Sequence, residues 1–323
     1  MIRKIVRLHI LQIYNFPMYL CRVNKSTNSG VQEITDIILQ KKRLRLFILR
    51  EDLINKEISG NKWRKLKYNI AYAKKKSFET LVTFGGAYSN HIAATAAAGK
   101  KFGFKTIGFI RGEYHNPLNY TLEFALSCGM ELRYVCRKDY KHKSSIEFHE
   151  NYLNELNNYY LIPEGGTNSL AVMGCSEILM DCPIDYDIVC CPCGTGGTIS
   201  GLIKSLKPHQ RALGFVSLKG ASSLYDYIFS QVSLCNWDLI EDYHFGGYAK
   251  VDSVLVDFVN NFKRKYKIPL DPIYTGKMMF GLWDLIKKDY FREGSKIIAV
   301  HTGGLQGIKG MNDRLKIKKL KFL

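Results

Sequence analysis

Short apolar runs alternate with amphipathic stretches along this chain from Val31 onward. The runs are rich in β-branched and aromatic residues, which is typical of buried strands. In the stretches between them, apolar residues recur at the three- and four-residue spacing of a helix face. The pattern predicts strands at Leu81–Phe84, Thr106–Ile110, Leu132–Cys136, Ile188–Cys191, Leu213–Val216 and Ile297–Val300, and helices at Asn90–Phe102, Pro117–Cys128, Ile146–Leu156, Val251–Lys265 and Gly276–Lys288.

Signals at the ends of these elements support the assignment. Asn116 before Pro117 predicts a helix start, whereas Gly103 and Gly129 predict helix ends. Alternation of strands and helices on this scale predicts parallel, doubly wound sheets with helices on both faces. The predicted fold class is therefore α/β, in which ligands bind at the carboxyl ends of the strands.

A glycine-rich turn, Gly194-Thr195-Gly196-Gly197-Thr198, lies between an apolar strand and an amphipathic helix. Glycines let backbone N–H groups converge on one point, and the helix that follows adds the positive end of its dipole. The run matches neither the dinucleotide fingerprint nor a P-loop. It is either a phosphate site or an ordinary strand-to-helix turn.

Lys62 lies at the start of a second helical stretch, after the turn formers Ser59 and Asn61, either of which could cap the helix. The helix dipole and the neighbouring charges of Arg64 and Lys65 disfavour a protonated amine at this position. A neutral amine is what a Schiff-base lysine needs, although a solvated basic face is the commoner fate of such a run. The predicted buried stripe of this helix is Trp63, Leu66, Ile70 and Ala73.

Five segments in matching order give the chain a family resemblance: REDL with SGNKWRKL, FGGAYSNH, CGTGGT, DPIYTGK and HTGG. Together they resemble pyridoxal-phosphate enzymes of the tryptophan-synthase-β fold type, in the branch of D-cysteine desulfhydrase and 1-aminocyclopropane-1-carboxylate deaminase. The resemblance implies a small domain at 59–163, inserted in a large domain made of 31–58 and 164–323. It also implies that pyridoxal 5'-phosphate lies in the crevice between them.

The resemblance further implies roles for cofactor-binding residues. Lys62 would form the Schiff base and move the proton at the substrate α-carbon. Lys65 and the turn from Gly194 to Thr198 would hold the phosphate. Asn90 would bind the hydroxyl oxygen of the pyridine ring, and Thr302 would meet the ring nitrogen.

On the substrate side, the helix start at Ser89, Asn90 and His91 offers N–H groups to a carboxylate. Ser89 is expected to be catalytic, an N-cap, or both. His91 is interpreted as a polar core residue rather than a catalytic one. Tyr274 and Tyr248 would face the substrate as acid or lid, with buried aromatics as the alternative for each.

The neutral hydroxyl of Thr302 beside the ring nitrogen favours β-elimination. By resemblance, deaminases that open a cyclopropane ring carry Glu and Leu where this chain has Thr275 and Thr302. We therefore expect a lyase that converts D-cysteine to pyruvate, sulfide and ammonia, with 1-aminocyclopropane-1-carboxylate deaminase as the alternative. The stretch after Asn90 is unlike either prototype, which leaves D-serine, β-chloro-D-alanine or an L-amino acid open.

Composition excludes several other classes. The 323 residues include nine cysteines, too few and too scattered for a secreted disulfide scaffold. Cys190, Cys191 and Cys193 are interpreted as strand residues, and no metal site is expected. No apolar run reaches the ~20 residues of a membrane span.

The net charge of +18 could indicate a nucleic-acid partner, but no binding pattern accompanies it. A nucleic-acid-binding protein is therefore only a distant alternative, and a small amino acid is the expected partner. The chain is expected to be a cytoplasmic homodimer. Residues 1–30, which are basic and lack acidic residues, are interpreted as an extension, either presequence-like or due to an over-extended start with Met18 as the alternative.

Overall fold

The computed structural model describes residues 30–323 except 56, 115, 181, 317 and 318. Of the predicted extension at 1–30, all but Gly30 lies outside these residues. The described chain forms two sheets with helices around each.

The larger sheet has six strands in the order β1-β2-β10-β7-β8-β9. Its neighbouring strands are parallel except for the pair β1 and β2, which is antiparallel. The mainly parallel arrangement puts the carboxyl ends of β2, β10, β7 and β8 at one edge. The strands are β1 (Gly30–Ile34), β2 (Arg45–Arg50), β7 (Ile188–Cys193), β8 (Arg211–Val216), β9 (Trp237–Ile240) and β10 (Lys296–Val300).

The smaller sheet has four parallel strands in the order β5-β4-β3-β6. Its chain segment lies between the second and seventh strands, so the larger sheet is built from both sides of an insertion. The strands are β3 (Thr80–Gly86), β4 (Lys105–Arg111), β5 (Met130–Val135) and β6 (Tyr159–Ile162).

Helices cover both faces of the larger sheet. Alternate residues of its strands point into two separate cores: Ile48 and Phe215 contribute to one, and Leu49 and Val216 to the other. This arrangement confirms the predicted doubly wound α/β class. The helices are α1 (Ile37–Lys41), α2 (Asn61–Lys75), α3 (Asn90–Phe102), α4 (Tyr120–Ser127), α5 (Arg137–Tyr140), α6 (Ile146–Tyr152), α7 (Ser169–Ser176), α8 (Gly197–Lys204), α9 (Ser222–Gln231), α10 (Ser253–Tyr266), α11 (Thr275–Lys287) and α12 (Gly307–Leu315).

The six predicted strands and five predicted helices all occur, but one helix start was wrong. Helix α4 begins at Tyr120, and Asn119 caps it by accepting hydrogen bonds from Thr121 N at 2.9 Å and Leu122 N at 3.2 Å. The capping amide comes after Pro117, so Asn116 is not the cap. Gly103 does end α3, in the left-handed conformation.

The predicted cap of α2 was also wrong, whereas its buried stripe is confirmed. Gly60 is the N-cap residue and makes no side-chain cap bond, with φ 63° and ψ −140°. The amide of Asn61 instead donates from Nδ2 to Thr198 Oγ1 at 2.8 Å. The side chain expected to cap α2 therefore connects it to α8.

The cysteines of β7 are buried, as expected for strand residues. Cys190 and Cys191 are 0% exposed and Cys193 is 2% exposed. Burial raises the pKa of the Cys190 and Cys191 thiols, so these two thiols stay protonated and behave as small apolar groups. Among the helices of the described part of the chain, none has the length and apolar character that crossing a membrane requires.

Candidate active site

A cleft of about 580 Å³, its open side included, lies where the carboxyl ends of β7 and β10 meet the start of helices α2, α3 and α8. Most of the predicted site residues border it. Its lining consists of Asn61, Lys62, Lys65, Asn90, Gly165, Pro192, Cys193, Gly194, Thr195, Gly196, Thr198, Ile199, Tyr274, Thr302, Gly303 and Gly304. Ser89, Gly197 and Tyr248 are not part of this lining.

The glycine turn forms one wall of the cleft. Gly196 has φ 83°, a left-handed conformation, and helix α8 begins directly after it. The turn also packs tightly, because a Cβ on Gly194 would lie 3.2 Å from the Tyr274 ring. The first N–H groups of α8 have no partner within the helix and carry its positive dipole end. The turn is therefore suited to an anion.

Lys65 lies next to that turn, and its amine is held by three hydrogen bonds. Its side chain is almost completely buried, and Nζ donates to Gly165 O at 3.0 Å, Thr167 Oγ1 at 2.9 Å and Thr195 Oγ1 at 3.4 Å. Thr167 and Thr195 also share a hydrogen bond between their hydroxyls. Burial lowers the pKa of Lys65. The network brings a cation and two hydroxyls to one end of the cleft.

Lys62 lies one turn before Lys65 on α2, and its environment is different. Its amine has no hydrogen-bond partner among the described residues, and its side chain borders the cleft. Burial, followed by the positive charge of Lys65, lowers the pKa of Lys62 to about 7. The opposing carboxylate of Asp271 is a weaker influence. At neutral pH a large share of this amine is therefore unprotonated and nucleophilic.

Asn90 and Thr302 lie at other parts of the lining. Asn90 Oδ1 is buried without a hydrogen-bond partner in the described structure. The opposite wall is close, because a Cβ on Gly304 would come within 2.6 Å of Asn90 Nδ2. Thr302 follows β10 in a turn that His301 shapes by accepting from Gly303 N at 3.2 Å. An unsatisfied buried oxygen is costly unless a ligand donates to it.

Ser89 and His91 flank Asn90, and both make hydrogen bonds that stabilise the fold. Ser89 caps α3, its hydroxyl accepting from His91 N at 3.2 Å and Ile92 N at 3.3 Å. His91 Nε2 lies 2.8 Å from Thr83 Oγ1, whose proton goes to Ile162 O. Nε2 must therefore be the protonated nitrogen. Burial lowers the pKa of His91 far below its usual value, so the ring is neutral, as expected for a polar core residue.

Tyr274 and Tyr248 form a pair beside the cleft. Their rings lie 6.2 Å apart in an edge-to-face arrangement. Burial raises the pKa of both hydroxyls, and for Tyr248 a hydrogen bond from Tyr274 partly offsets that rise. Both hydroxyls are thus protonated at neutral pH and can donate. Of the two, Tyr274 lines the cleft and Tyr248 does not.

Sequence reasoning missed several residues of the site. Gly165 and Thr167 belong to an EGGTN turn after β6, and this second glycine turn between elements was a signal that could have revealed them. Asp271 also supports the site, although it is not part of the lining. Its buried carboxylate accepts from Ile273 N at 2.9 Å, Tyr274 N at 3.1 Å and Thr275 N at 2.6 Å. Asp271 therefore fixes the backbone that carries Tyr274.

Comparison with known proteins gives four consistent findings. The model of a family described as pyridoxal-phosphate dependent enzyme matches residues 36–303. A Pyrococcus horikoshii protein provisionally named 1-aminocyclopropane-1-carboxylate deaminase is 31% identical over 84% of this chain and 87% of its own length. The Arabidopsis thaliana mitochondrial bifunctional D-cysteine desulfhydrase/1-aminocyclopropane-1-carboxylate deaminase is 29% identical over 84% of this chain and 75% of that protein. A crystal structure of an ACC deaminase homologue superposes with a TM-score of 0.77, at 28% identity, over 90% of this chain and 93% of that one.

Proposed function

This chain belongs to the family of pyridoxal-phosphate dependent enzymes, and from that premise we propose that it is a lyase that eliminates the β-substituent of a small amino acid.

Its preferred substrate, in this proposal, is D-cysteine, which it converts to pyruvate, sulfide and ammonia. Family membership supports the cofactor and the class of enzyme, a pyridoxal-phosphate dependent lyase. The choice of substrate rests on the residues of the cleft.

Pyridoxal 5'-phosphate fits the residues that line the cleft. Its phosphate matches the glycine turn and the cation of Lys65, and its aldehyde needs an unprotonated amine such as that of Lys62. Its ring hydroxyl would supply the donor that Asn90 Oδ1 lacks among the described residues. Thr302 would then meet the ring nitrogen with a neutral hydroxyl. When bound, the cofactor withdraws electrons from the α-carbon of an amino acid.

Lys62 is the residue that we propose to hold the cofactor and then to take the α-proton from the substrate. A base works best when its pKa lies near the working pH, and the pKa of Lys62 is about 7. Burial is the main cause of this low pKa, and the fixed charge of Lys65 is the second, because a cation nearby disfavours protonation of Lys62. Lys65 itself is held by oxygens and is unsuited to proton transfer.

Tyr274, Tyr248 and Ser89 are the residues that we propose to act on the substrate. The raised pKa values of both tyrosines keep their hydroxyls protonated, so either could donate to a departing thiolate. The hydroxyl of Ser89 accepts two N–H bonds as a cap and still has its own proton to offer a carboxylate. The start of α3 adds a positive dipole end at the same place.

The observation that carries the choice of D-cysteine is the state of Thr275. Its side chain is 0% exposed, and its hydroxyl donates to Asp271 Oδ1 at 2.9 Å while accepting from Asp271 N at 2.8 Å. This is the position at which the ring-opening branch, by resemblance, carries Glu. A fully bonded hydroxyl cannot replace that carboxylate, which favours elimination over ring opening.

A second candidate, ring opening of 1-aminocyclopropane-1-carboxylate, is favoured by the names of the relatives. Both the Pyrococcus protein and the solved homologue are named for that activity, and the Arabidopsis protein is named for both activities. This second function would yield 2-oxobutanoate and ammonia from the same cleft.

One steady-state experiment separates the two functions. The purified, cofactor-loaded enzyme is given D-cysteine, L-cysteine or 1-aminocyclopropane-1-carboxylate, and sulfide and keto acid are measured. We expect sulfide and pyruvate from D-cysteine and at most a trace from the L-enantiomer. Formation of 2-oxobutanoate without any sulfide release would overturn elimination in favour of ring opening. The Lys62→Ala variant is the control for the catalytic site in each assay.

A further inference from the structure

We propose that Lys277 is a positioning residue that holds Tyr248 beside the cleft by binding two carbonyl groups of the turn at residues 244–247, which precedes it. The effect on turnover rests on the proposed function, whereas the effect on the turn does not. This 244–247 turn is distinct from the glycine turn at 194–198 and is followed directly by Tyr248.

The contacts of Lys277 are directed at this turn. The lysine lies on α11, and its side chain is 1% exposed. Its Nζ donates to His244 O and to Gly247 O, each at 2.8 Å. The first and last carbonyls of the turn are thus bound by one ammonium group.

The turn has a backbone shape that needs such support. Gly246 and Gly247 have φ values of 85° and 114°, and Ala249 beyond Tyr248 also has a positive φ of 55°. Non-glycine residues in this region are strained, and such strain persists only where the surroundings enforce it. Within the turn, His244 O also accepts from Gly247 N at 3.0 Å. Gly246 N donates to His244 Nδ1 at 2.9 Å as well, and Lys250 N donates to Gly247 O at 3.2 Å. Lys277 therefore adds two bonds to a turn that these local hydrogen bonds close.

Helix α11 sets the positions of both tyrosines. Tyr274 precedes the first residue of the helix, and Lys277 lies one turn later on the same helix. A rigid helix turn thus connects Tyr274 to the group that holds the turn before Tyr248. The two rings meet edge to face as a consequence. Neighbouring contacts hold the same segment, since Tyr243 donates to Asp284 Oδ2 at 2.7 Å.

Burying the ammonium group of Lys277 carries a desolvation penalty, so filling space cannot be the only reason for a lysine at this position. Burial lowers the pKa of Lys277 to about 8, with Asp271 opposing the shift. An apolar side chain of similar length would fill the same space without that desolvation penalty. What the lysine adds is donors for two carbonyls. Replacing Lys277 should therefore make the 244–247 turn more mobile, while the glycine turn at 194–198 stays unchanged.

The first test measures the turn itself. Amide hydrogen exchange is compared between the cofactor-loaded wild type and Lys277→Met, with the exposed Lys287→Met on the same helix as control. We expect exchange at residues 244–250 to rise at least about tenfold in Lys277→Met only, with 194–198 unchanged. Lys277→Gln keeps N–H donors on a shorter side chain, so its exchange at these residues should lie between that of the wild type and that of Lys277→Met. Unchanged exchange at 244–250 in Lys277→Met would overturn the proposal, whatever the substrate is.

The second test asks whether Lys277 acts through Tyr248. The kcat for D-cysteine is measured for Lys277→Met, Tyr248→Phe and the double variant. We expect each single change to lower kcat, with the double variant no slower than the slower single one. Fully multiplied effects would show that Lys277 acts elsewhere. Absence of D-cysteine turnover in the wild type contradicts the proposed function, and the exchange experiment still decides the role of Lys277.

Discussion

Lys62 and Lys65 lie one turn apart on the same helix, but their amines have different surroundings. Lys65 is surrounded by three oxygens and stays fixed. Lys62 has no such partner among the described residues, and its pKa falls to about 7. The fixed cation is itself one cause of that fall. The two lysines are therefore coupled, because the positive charge of Lys65 makes it easier for Lys62 to lose its proton.

The first prediction concerns the reactivity of Lys62. Because its pKa is lowered from 10.5 to about 7, the amine becomes neutral as the pH rises through 7. The rate at which cofactor-free enzyme attaches pyridoxal 5'-phosphate, trapped with borohydride, should therefore reach half its maximum near pH 7. Lys62→Ala should trap none at this site. A rate that still climbs steeply between pH 9 and 10 would contradict the lowered pKa.

The second prediction concerns Lys65. Hydrogen bonds to charged groups contribute roughly 1.5–3 kcal/mol, so Lys65→Met should weaken cofactor binding about 10- to 100-fold. The measurement is equilibrium dialysis of the cofactor at neutral pH. Lys67→Met is the matched control, since Lys67 lies on the same helix but pairs with Glu177. Equal affinities for the two variants would exclude a phosphate contact by Lys65.

At the scale of elements, the start of α2 is fixed by close backbone approach rather than by a capping side chain. Gly60 N-caps the helix with a positive φ and lies directly against the turn after β10. Asn61 N donates to Thr302 O at 3.2 Å in the same contact. The contact joins helix α2, which carries Lys62, to the turn that carries Thr302, so two parts of the site are positioned together.

The third prediction tests that contact. A Cβ on Gly60 would lie 2.0 Å from Thr302 O, so Gly60→Ala should cost roughly 3 kcal/mol or more through strain and overlap. Gly103→Ala is the control, because Gly103 has φ 78° but nothing within 4 Å of a new Cβ. It should cost only about 1–2 kcal/mol. Urea unfolding followed by circular dichroism measures both. Similar losses would mean that the contact with Thr302 is easily relieved.

Elements with strong local signals were predictable from the sequence, and those defined by tertiary contact were not. The buried strands around Val189 and Ile298 are continuous apolar runs, so their pattern alone identified them. Four of the described strands were not predicted: β1 is an edge strand with a mixed pattern, β6 and β9 have only four residues each, and β2 was overlooked although it is apolar and buried. The cap of α2 was mispredicted because Asn61 has a better partner in Thr198, 137 residues away. Motif resemblance identified the site lysines, while Thr167 needed the fold.

At the scale of the molecule, the cleft is assembled from distant parts of the chain. Helices α2 and α3 pack with the smaller sheet through residues such as Leu66 and Ala94, whereas α8 packs on the larger one through Ile199. A cofactor that contacts all three helices would connect the two sheets. Binding should therefore stabilise the whole fold rather than one loop.

The fourth prediction follows from this connection. A ligand that binds only the folded state stabilises it by about 4 kcal/mol at a thousand times its dissociation constant. Removing pyridoxal 5'-phosphate should therefore lower the melting temperature and increase amide exchange at 60–65, 89–91, 194–198 and 302–304 together. Pyridoxal, which has the aldehyde but no phosphate, is the matched control and should restore less stability, because it reaches Lys62 without engaging Lys65. Equal protection by the two ligands would mean that the glycine turn adds nothing to binding, and exchange confined to one sheet would mean that the cofactor does not connect the two.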